Sequence, residues 1–299
     1  MKFSIIPHRN RWLAVSASLV VISVILIATF GLKFGIDFTG GSLMELNFGE
    51  PVSTEAFKAT LETAGYGDAS LQTTGENGYL IRLPSLTEEQ HQILLKTIQD
   101  THGQVKAVEE SRFDSIGPII GKELQKTAGL GVLVTLILIA LYVAWVYRKV
   151  SEPVASWKYA LITIGTAFHD VIIPLGAFAL FGHFFGWEIG TAFVAAVLTI
   201  LGYSITDTVV VFDRTRENLM RRTSHNFEET VELSIHQTLW RSLSTSITTL
   251  LALVAIFLFG GESTRPFSMA LIIGILTGTY SSIFLASPLL VVWGSGKRK

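Results

Sequence analysis

The chain has 299 residues, of which 49% are hydrophobic and only 16% charged, with a mean hydropathy of +0.48. A soluble domain carries about 25% charged residues, so this composition argues against a single cytosolic enzyme. The absence of cysteine excludes a disulfide framework and a cysteine-ligated metal, and a net charge of −1 makes no case for nucleic acid.

The charge deficit is uneven along the chain. A bilayer core takes about 20 mostly apolar residues per helix, and six stretches qualify. The first, at 12–30, carries no charge. Its apolar core is longer than the about 7–15 residues of a secretory signal and no small-residue cleavage site follows, so it reads as a retained anchor. The others lie at 127–147, at 157–182 with His169 and Asp170 inside, at 189–212 with Asp207 inside, at 242–260 and at 266–293.

Short-loop Lys and Arg set orientation. Lys2, Arg9 and Arg11 precede the first span, and Arg148, Lys149 and Lys158 lie between the second and third. Arg214, Arg216, Arg221 and Arg222 follow the fourth, and Lys297, Arg298 and Lys299 end the chain. With six spans these segments share one side, the cytoplasm, and the opposite short loops hold only Arg265. The expected organisation is therefore 1–30 as N-terminus and first span, 31–126 as a periplasmic domain with its linkers, and 127–299 as spans two to six.

Residues 31–126 carry 8 Lys/Arg against 14 Asp/Glu, a net charge of −6. Met44, Leu46 and Phe48 alternate with Glu45 and Asn47, as in a half-buried strand. Ala56, Phe57, Leu61 and Ala64 follow at helical spacing. Short strands near 69–72 and 79–83 flank the Gly-Glu-Asn-Gly turn at 75–78. Ser85 and Glu88 have capping-box spacing before a helix whose buried face is Ile93, Leu94 and Ile98. A last strand is expected near 105–109. The order βαββαβ is the ferredoxin-like pattern, which names no function by itself.

Two segments frame this domain. In one, Gly35, Asp37, Gly40 and Gly41 belong to GIDFTGG, which is either a strand-entry turn or a functional hinge. In the other, Gly117, Pro118 and Gly121 belong to DSIGPIIG, which reads as a re-entry linker allowing the domain to swing.

An ionisable group inside a bilayer is costly, so it is a functional candidate by default. Thr199, Tyr203, Thr206 and Asp207 fall on one face of the fourth span. Arg241 opens the fifth, followed by Ser244, Thr245, Thr248 and Thr249 at helical spacing. A carboxylate facing an arginine across two helices suits a proton relay, with a planar guanidinium that Lys would replace poorly. A structural ion pair, with Arg241 snorkelling to the cytoplasm, is the competing reading. Asp170, beside His169 and four residues before Pro174, is either a second relay carboxylate or a structural partner. Charges at 213–217 read as helix-end contacts, and Gly274 with Gly278 as a packing pair. Residues 226–238 are amphipathic, with Phe227, Val231 and Ile235 on one stripe, and lie either on the membrane or against the helix ends. There is no phosphate loop, zinc motif or nucleophile elbow, so neither an enzyme nor a cofactor is expected.

The residues resemble the SecD/SecF family of bacterial protein export, on the pattern of its smaller subunit and over nearly the whole chain. The motifs are FGIDFTGG at 34–41, SIGPIIG at 115–121, FHD at 168–170, GYSITDTVVVFDRTREN at 202–218, RSLSTSITTLL at 241–251, and 257–282 with its FLFGG start and GTYSS end. Thr206 stands where the family commonly has Asn, and Thr215 where it has an aliphatic residue; both changes keep the ionisable positions. The resemblance implies a fold of the resistance–nodulation–division type, six transmembrane helices with a small periplasmic domain. It implies pairing with SecD, association with the SecYEG channel and YajC, and action on translocating preproteins. Proton-driven export would then use Asp207 and Arg241 as relay residues, with Asp170 a further candidate and Tyr203, Thr206 and Thr245 lining the path. The alternatives are a small-molecule or lipid exporter of the same superfamily and an inert scaffold.

Overall fold

A computed structural model describes residues 4–75, 77–103, 107–148 and 154–295. Lys2, Glu76, Val105, Lys149 and the basic tail at 297–299 lie outside the described residues. After a single 3-10 turn at Ile6–His8, the elements in chain order are α1 (Arg9–Phe30), α2 (Ile36–Thr39), β1 (Gly41–Phe48), α3 (Thr54–Thr63), β2 (Ser70–Thr74), β3 (Gly78–Leu83), α4 (Glu88–His102) and β4 (Val108–Ile116). There follow α5 (Pro118–Val146), α6 (Ser156–Phe185), α7 (Thr191–Met220), α8 (Phe227–Phe259), α9 (Arg265–Ser281), a π-helical segment (Ser282–Ala286) and α10 (Ser287–Ser295). The chain divides into two compact units, 34–129 and the remainder, a few residues on from the boundaries expected at 31 and 126.

In the smaller unit the strands run in the order β2-β3-β1-β4, every neighbouring pair antiparallel. This is the ferredoxin-like arrangement, a split pair of βαβ units. Alternation decides which face is buried: Met44, Leu46 and Phe48 of β1 and Tyr79, Ile81 and Leu83 of β3 meet Phe57 and Leu61 of α3 and Leu94 and Ile98 of α4.

Several details differ from expectation. Ala56 is exposed. The α4 capping box is Thr87 with Gln90, not Ser85 with Glu88. Leu86 N–H is spent on the Ser42 hydroxyl at 2.8 Å, which holds the chain extended until Thr87. Helix α4 consequently buries His91, Leu94 and Ile98 and turns Ile93 out, 61% exposed. The last strand is longer than expected and absorbs Asp114, Ser115 and Ile116, which pair with residues 41–43 of β1.

That pairing takes the start of the expected linker into the sheet. Only Gly117 separates β4 from α5, and Pro118 takes the first helical position, where its missing N–H costs nothing. Gly35 precedes α2, Asp37 lies in its first turn, and Gly40 and Gly41 follow with φ of +74° and +129°. A Cβ at Gly40 would come within 2.7 Å of Pro118 Cα, and one at Gly121 within 2.9 Å of Gly40 N. The two glycine-bearing motifs thus pack on each other as one joint.

Five of the six apolar helices lie wholly in the larger unit, and α5 enters it from residue 130. Within their apolar windows, 44% of α6, 50% of α7 and 56% of the 265–294 span are buried, against 11% for the first span, 6% for α5 and 17% for α8. The third, fourth and sixth spans therefore form the interior. Gly274 and Gly278 bring α9 against α7: a Cβ would lie 2.1 Å from Ile200 at the first and 2.8 Å from Ser204 at the second. The π-helical segment interrupts the sixth span, and the Ser287 hydroxyl donates to the Ser282 carbonyl at 3.0 Å. Residues 227–238 are the opening turns of α8. Their stripe packs into the main core beside Ile5, Ile6, Tyr159, Phe212 and Leu290, so the segment braces helix ends.

Candidate ion-relay site

Helix α7 carries Ser204, Asp207 and Thr208 at i, i+3 and i+4, one buried face. Asp207 is 8% exposed. Its Oδ1 accepts a hydrogen bond from Ser242 of α8 at 3.1 Å, and its Oδ2 is buried without a partner. Four residues on, Ser246 shares a 2.6 Å hydrogen bond with Thr279 of α9 and accepts one from Tyr203 at 3.4 Å. Three helices therefore contribute hydroxyls to one buried polar layer.

Asp170 of α6 meets α7 at Ser204, on the same buried face as Asp207. Asp170 itself is fully buried. Its Oδ1 meets His169 Nδ1 at 2.8 Å, and its Oδ2 accepts from Ser204 and from Ser281 of α9, the latter at 2.7 Å. The Gly278 approach makes this possible, since it lets Ser204 and Ser281 reach the same oxygen. His169 stacks on Tyr280, whose hydroxyl donates to the Trp12 carbonyl at 3.2 Å and accepts from Ser16 at 3.3 Å. The network thus spans α1, α6, α7 and α9.

Arg241 is not seated where the facing pair requires. It is exposed, near enough for its charge to bear on Asp207, and makes no ion pair with it among the described residues. Helical geometry explains this. Successive side chains are turned by about 100°, and Ser242, 1% exposed, is the residue facing α7. Thr206 and Thr245 are also exposed, their hydroxyls returned to the Gly202 carbonyl and to the Arg241 and Ser242 carbonyls. Thr199 is exposed as well. Of the expected lining residues, Tyr203 alone joins the layer. Ser204, Ser242, Ser246, Thr279 and Ser281 were not singled out by sequence reasoning. A signal for two of them exists: Ser234, Thr238, Ser242 and Ser246 recur every fourth residue, and all are at most 5% exposed.

Comparison with known proteins completes the picture. Residues 96–296 match the family described as protein export membrane protein SecD/SecF, C-terminal, and residues 25–52 match the SecD/SecF GG motif. The chain belongs to the SecD/SecF family. A protein translocase subunit SecF from Thermobaculum terrenum is 38% identical, covering 97% of this chain and 93% of its own. The Pseudomonas aeruginosa SecF is 38% identical over 95% of this chain and 89% of its own. The crystal structure of SecDF from Thermus thermophilus, a translocon-associated membrane protein, superimposes with a TM-score of 0.84 at 34% identity. That match covers 99% of this chain and 39% of the longer SecDF chain. SecDF in a super-membrane-facing form gives a TM-score of 0.68. The SecD/SecF GG motif falls on the joint built from Gly40, Gly41 and Pro118, and the C-terminal match contains both buried carboxylates.

At the end of the bundle where the chain begins, Glu232 accepts the backbone N–H of Ile5 at 2.9 Å and of Ile6 at 2.7 Å, and Arg9 pairs with Glu228 at 3.1 Å. Arg214 and Arg221 both pair with Glu217 of their own helix segment at 2.7 and 2.8 Å. These charges join helix ends and lie apart from the buried carboxylates.

Proposed function

We propose that this chain is an auxiliary membrane subunit of the protein translocase that uses a transmembrane proton gradient to promote preprotein movement across and release from the membrane. Its role is mechanical coupling without catalysis of a covalent step. It works with a SecD partner, in association with the SecYEG channel and YajC. Both termini face the cytoplasm, as the positive short loops require, and residues 34–129 face the other side.

The observation that carries the reading is the state of Asp207. A carboxylate buried inside a six-span bundle, held by one hydroxyl on one oxygen and by nothing on the other, has an atom free to exchange a proton. Arg241 supplies a nearby positive charge, and Asp170 lies in the same polar layer through Ser204. Gly35, Asp37, Gly40, Gly41, Gly117, Pro118 and Gly121 form the joint through which the outer unit would follow events in the spans.

The test is pulse-chase export of a preprotein in cells depleted of their own SecF and supplied with this chain and its SecD. Restored export at normal membrane levels of the chain is the expected result. Absence of rescue with both subunits assembled would sink the translocase assignment and favour the exporter.

A further inference from the structure

Asp170 has no exposed surface, and three groups of donor capacity converge on it: His169 Nδ1 on Oδ1, and the Ser204 and Ser281 hydroxyls on Oδ2. This arrangement matches an acceptor-only carboxylate. With the ring proton of His169 placed on Nδ1 toward Asp170, a neutral imidazole presents Nε2 as a bare acceptor. That atom is buried and has no hydrogen-bond partner, on a residue 2% exposed. Tyr280 of α9 stacks on the ring with centroids 6.1 Å apart, α7 brings Ser204, and α1 brings Ser16 against the Tyr280 hydroxyl. Of these groups, Asp170 and Tyr280 are titratable.

We propose that His169 Nε2 is a second proton-accepting site within the spans, that Asp170 is its positioning residue, and that it serves the relay centred on Asp207. The step is simple to balance. A proton arriving from the aqueous side forms an N–H bond at Nε2, the ring becomes imidazolium, and its charge is matched by the Asp170 carboxylate. On release the proton leaves from Nε2, and Nδ1 keeps its own. The two sites share a helix face, since Ser204 donates to Asp170 and lies about one helical turn from Asp207. The functional half of this proposal rests on the reading of Asp207 as a relay carboxylate; the protonation itself does not.

The sequence contains one Phe–His dipeptide, Phe168–His169. Carbonyl-13C phenylalanine with uniformly 13C,15N-labelled histidine therefore lets magnetisation pass from the Phe168 carbonyl through the His169 amide to its own ring nitrogens. This isolates the ring from those of the other histidines without any substitution. Solid-state NMR of the labelled chain, assembled with SecD in bilayers, is expected to show protonated Nδ1 and bare Nε2 at alkaline pH. Nε2 then gains a proton as the sample is acidified. A ring carrying its proton on Nε2 throughout, or an Nε2 that takes none while the fold persists, overturns the proposal.

Asp170→Asn keeps an acceptor for Nδ1–H but removes the charge, so it is expected to preserve the tautomer and lose proton uptake. Undiminished uptake would overturn the charge-matching role given to Asp170, and a changed tautomer would overturn its positioning of the ring. His169→Gln, at parental assembly levels, is expected to lose the gradient-dependent part of export, and full stimulation would remove His169 from the relay. Retained stimulation in Asp207→Asn would instead overturn the Asp207 reading and with it the link to function, while the NMR outcome at His169 stands on its own.

Discussion

The two oxygens of Asp207 occupy different settings, and that difference bears on its neighbours. Oδ1 is held by Ser242, whereas Oδ2 is buried and open. Arg241, exposed and out of contact, acts on this carboxylate by charge alone. A fork geometry that is not engaged cannot be what selects arginine, so Arg241→Lys is expected to keep most gradient-dependent export, and Arg241→Gln to lose it. The comparison is an export assay of both variants at matched levels; equal loss in both would show that a guanidinium contact forms in another state of the cycle. Asp207 was legible as a charge in an apolar run. Its contact was not, because hydroxyls crowd RSLSTSITT and only the rotation of α8 decides which of them faces α7. His169 was likewise visible, but the open state of Nε2 depends on four helices meeting around it.

At the scale of elements, the seam between α7 and α9 holds the site together. Gly278 leaves room for Ser204, and a methyl group there would lie 2.8 Å from Ser204 Cβ and 3.3 Å from its Cα. Gly278→Ala is expected to lower stability by about 1–3 kcal/mol, the usual cost of overpacking, and to separate Ser204 from Asp170. Thermal unfolding of the purified chain checks the first effect; an unchanged melting temperature would mean the seam yields freely. The small-residue spacing of Gly274 and Gly278 pointed to packing, and packing is what it provides. Periodicity also identified the strand and helix order of the smaller unit, because alternation and 3.6-residue spacing are local properties. The capping box went to the wrong pair because Ser85 and Thr87 both satisfy its spacing, and the decisive contact, Leu86 N–H on Ser42, comes from 44 residues away. The extension of β4 through Ser115 is non-local in the same way: Ser115 is hydrogen-bonded to Ser42 on β1 at 2.9 Å.

At the scale of the molecule, the start of the chain is fastened to the fifth span. Ile5 and Ile6 are 0% and 1% exposed, and Glu232 takes both their N–H groups. Hydrogen bonds to a charged acceptor contribute about 1.5–3 kcal/mol. Glu232→Ala is therefore expected to speed amide hydrogen exchange at Ile5 and Ile6 by about tenfold to a hundredfold, and unchanged exchange would mean that apolar packing alone holds the segment. The six spans were readable from length and composition, since the bilayer imposes both. The fastening was not, because Ile5 and Glu232 are separated by 227 positions and nothing in a linear pattern marks them as partners.

The central claim is that Asp207 transmits the gradient. The most direct measurement is preprotein export into inverted membrane vesicles, with and without an imposed proton gradient, comparing the parent chain with Asp207→Asn at equal assembly with SecD. The neutral, isosteric side chain has no proton to exchange, so the two should export alike without the gradient, and only the parent should accelerate when it is imposed. Equal acceleration of both would contradict the relay and leave Asp207 as a structural partner of Ser242.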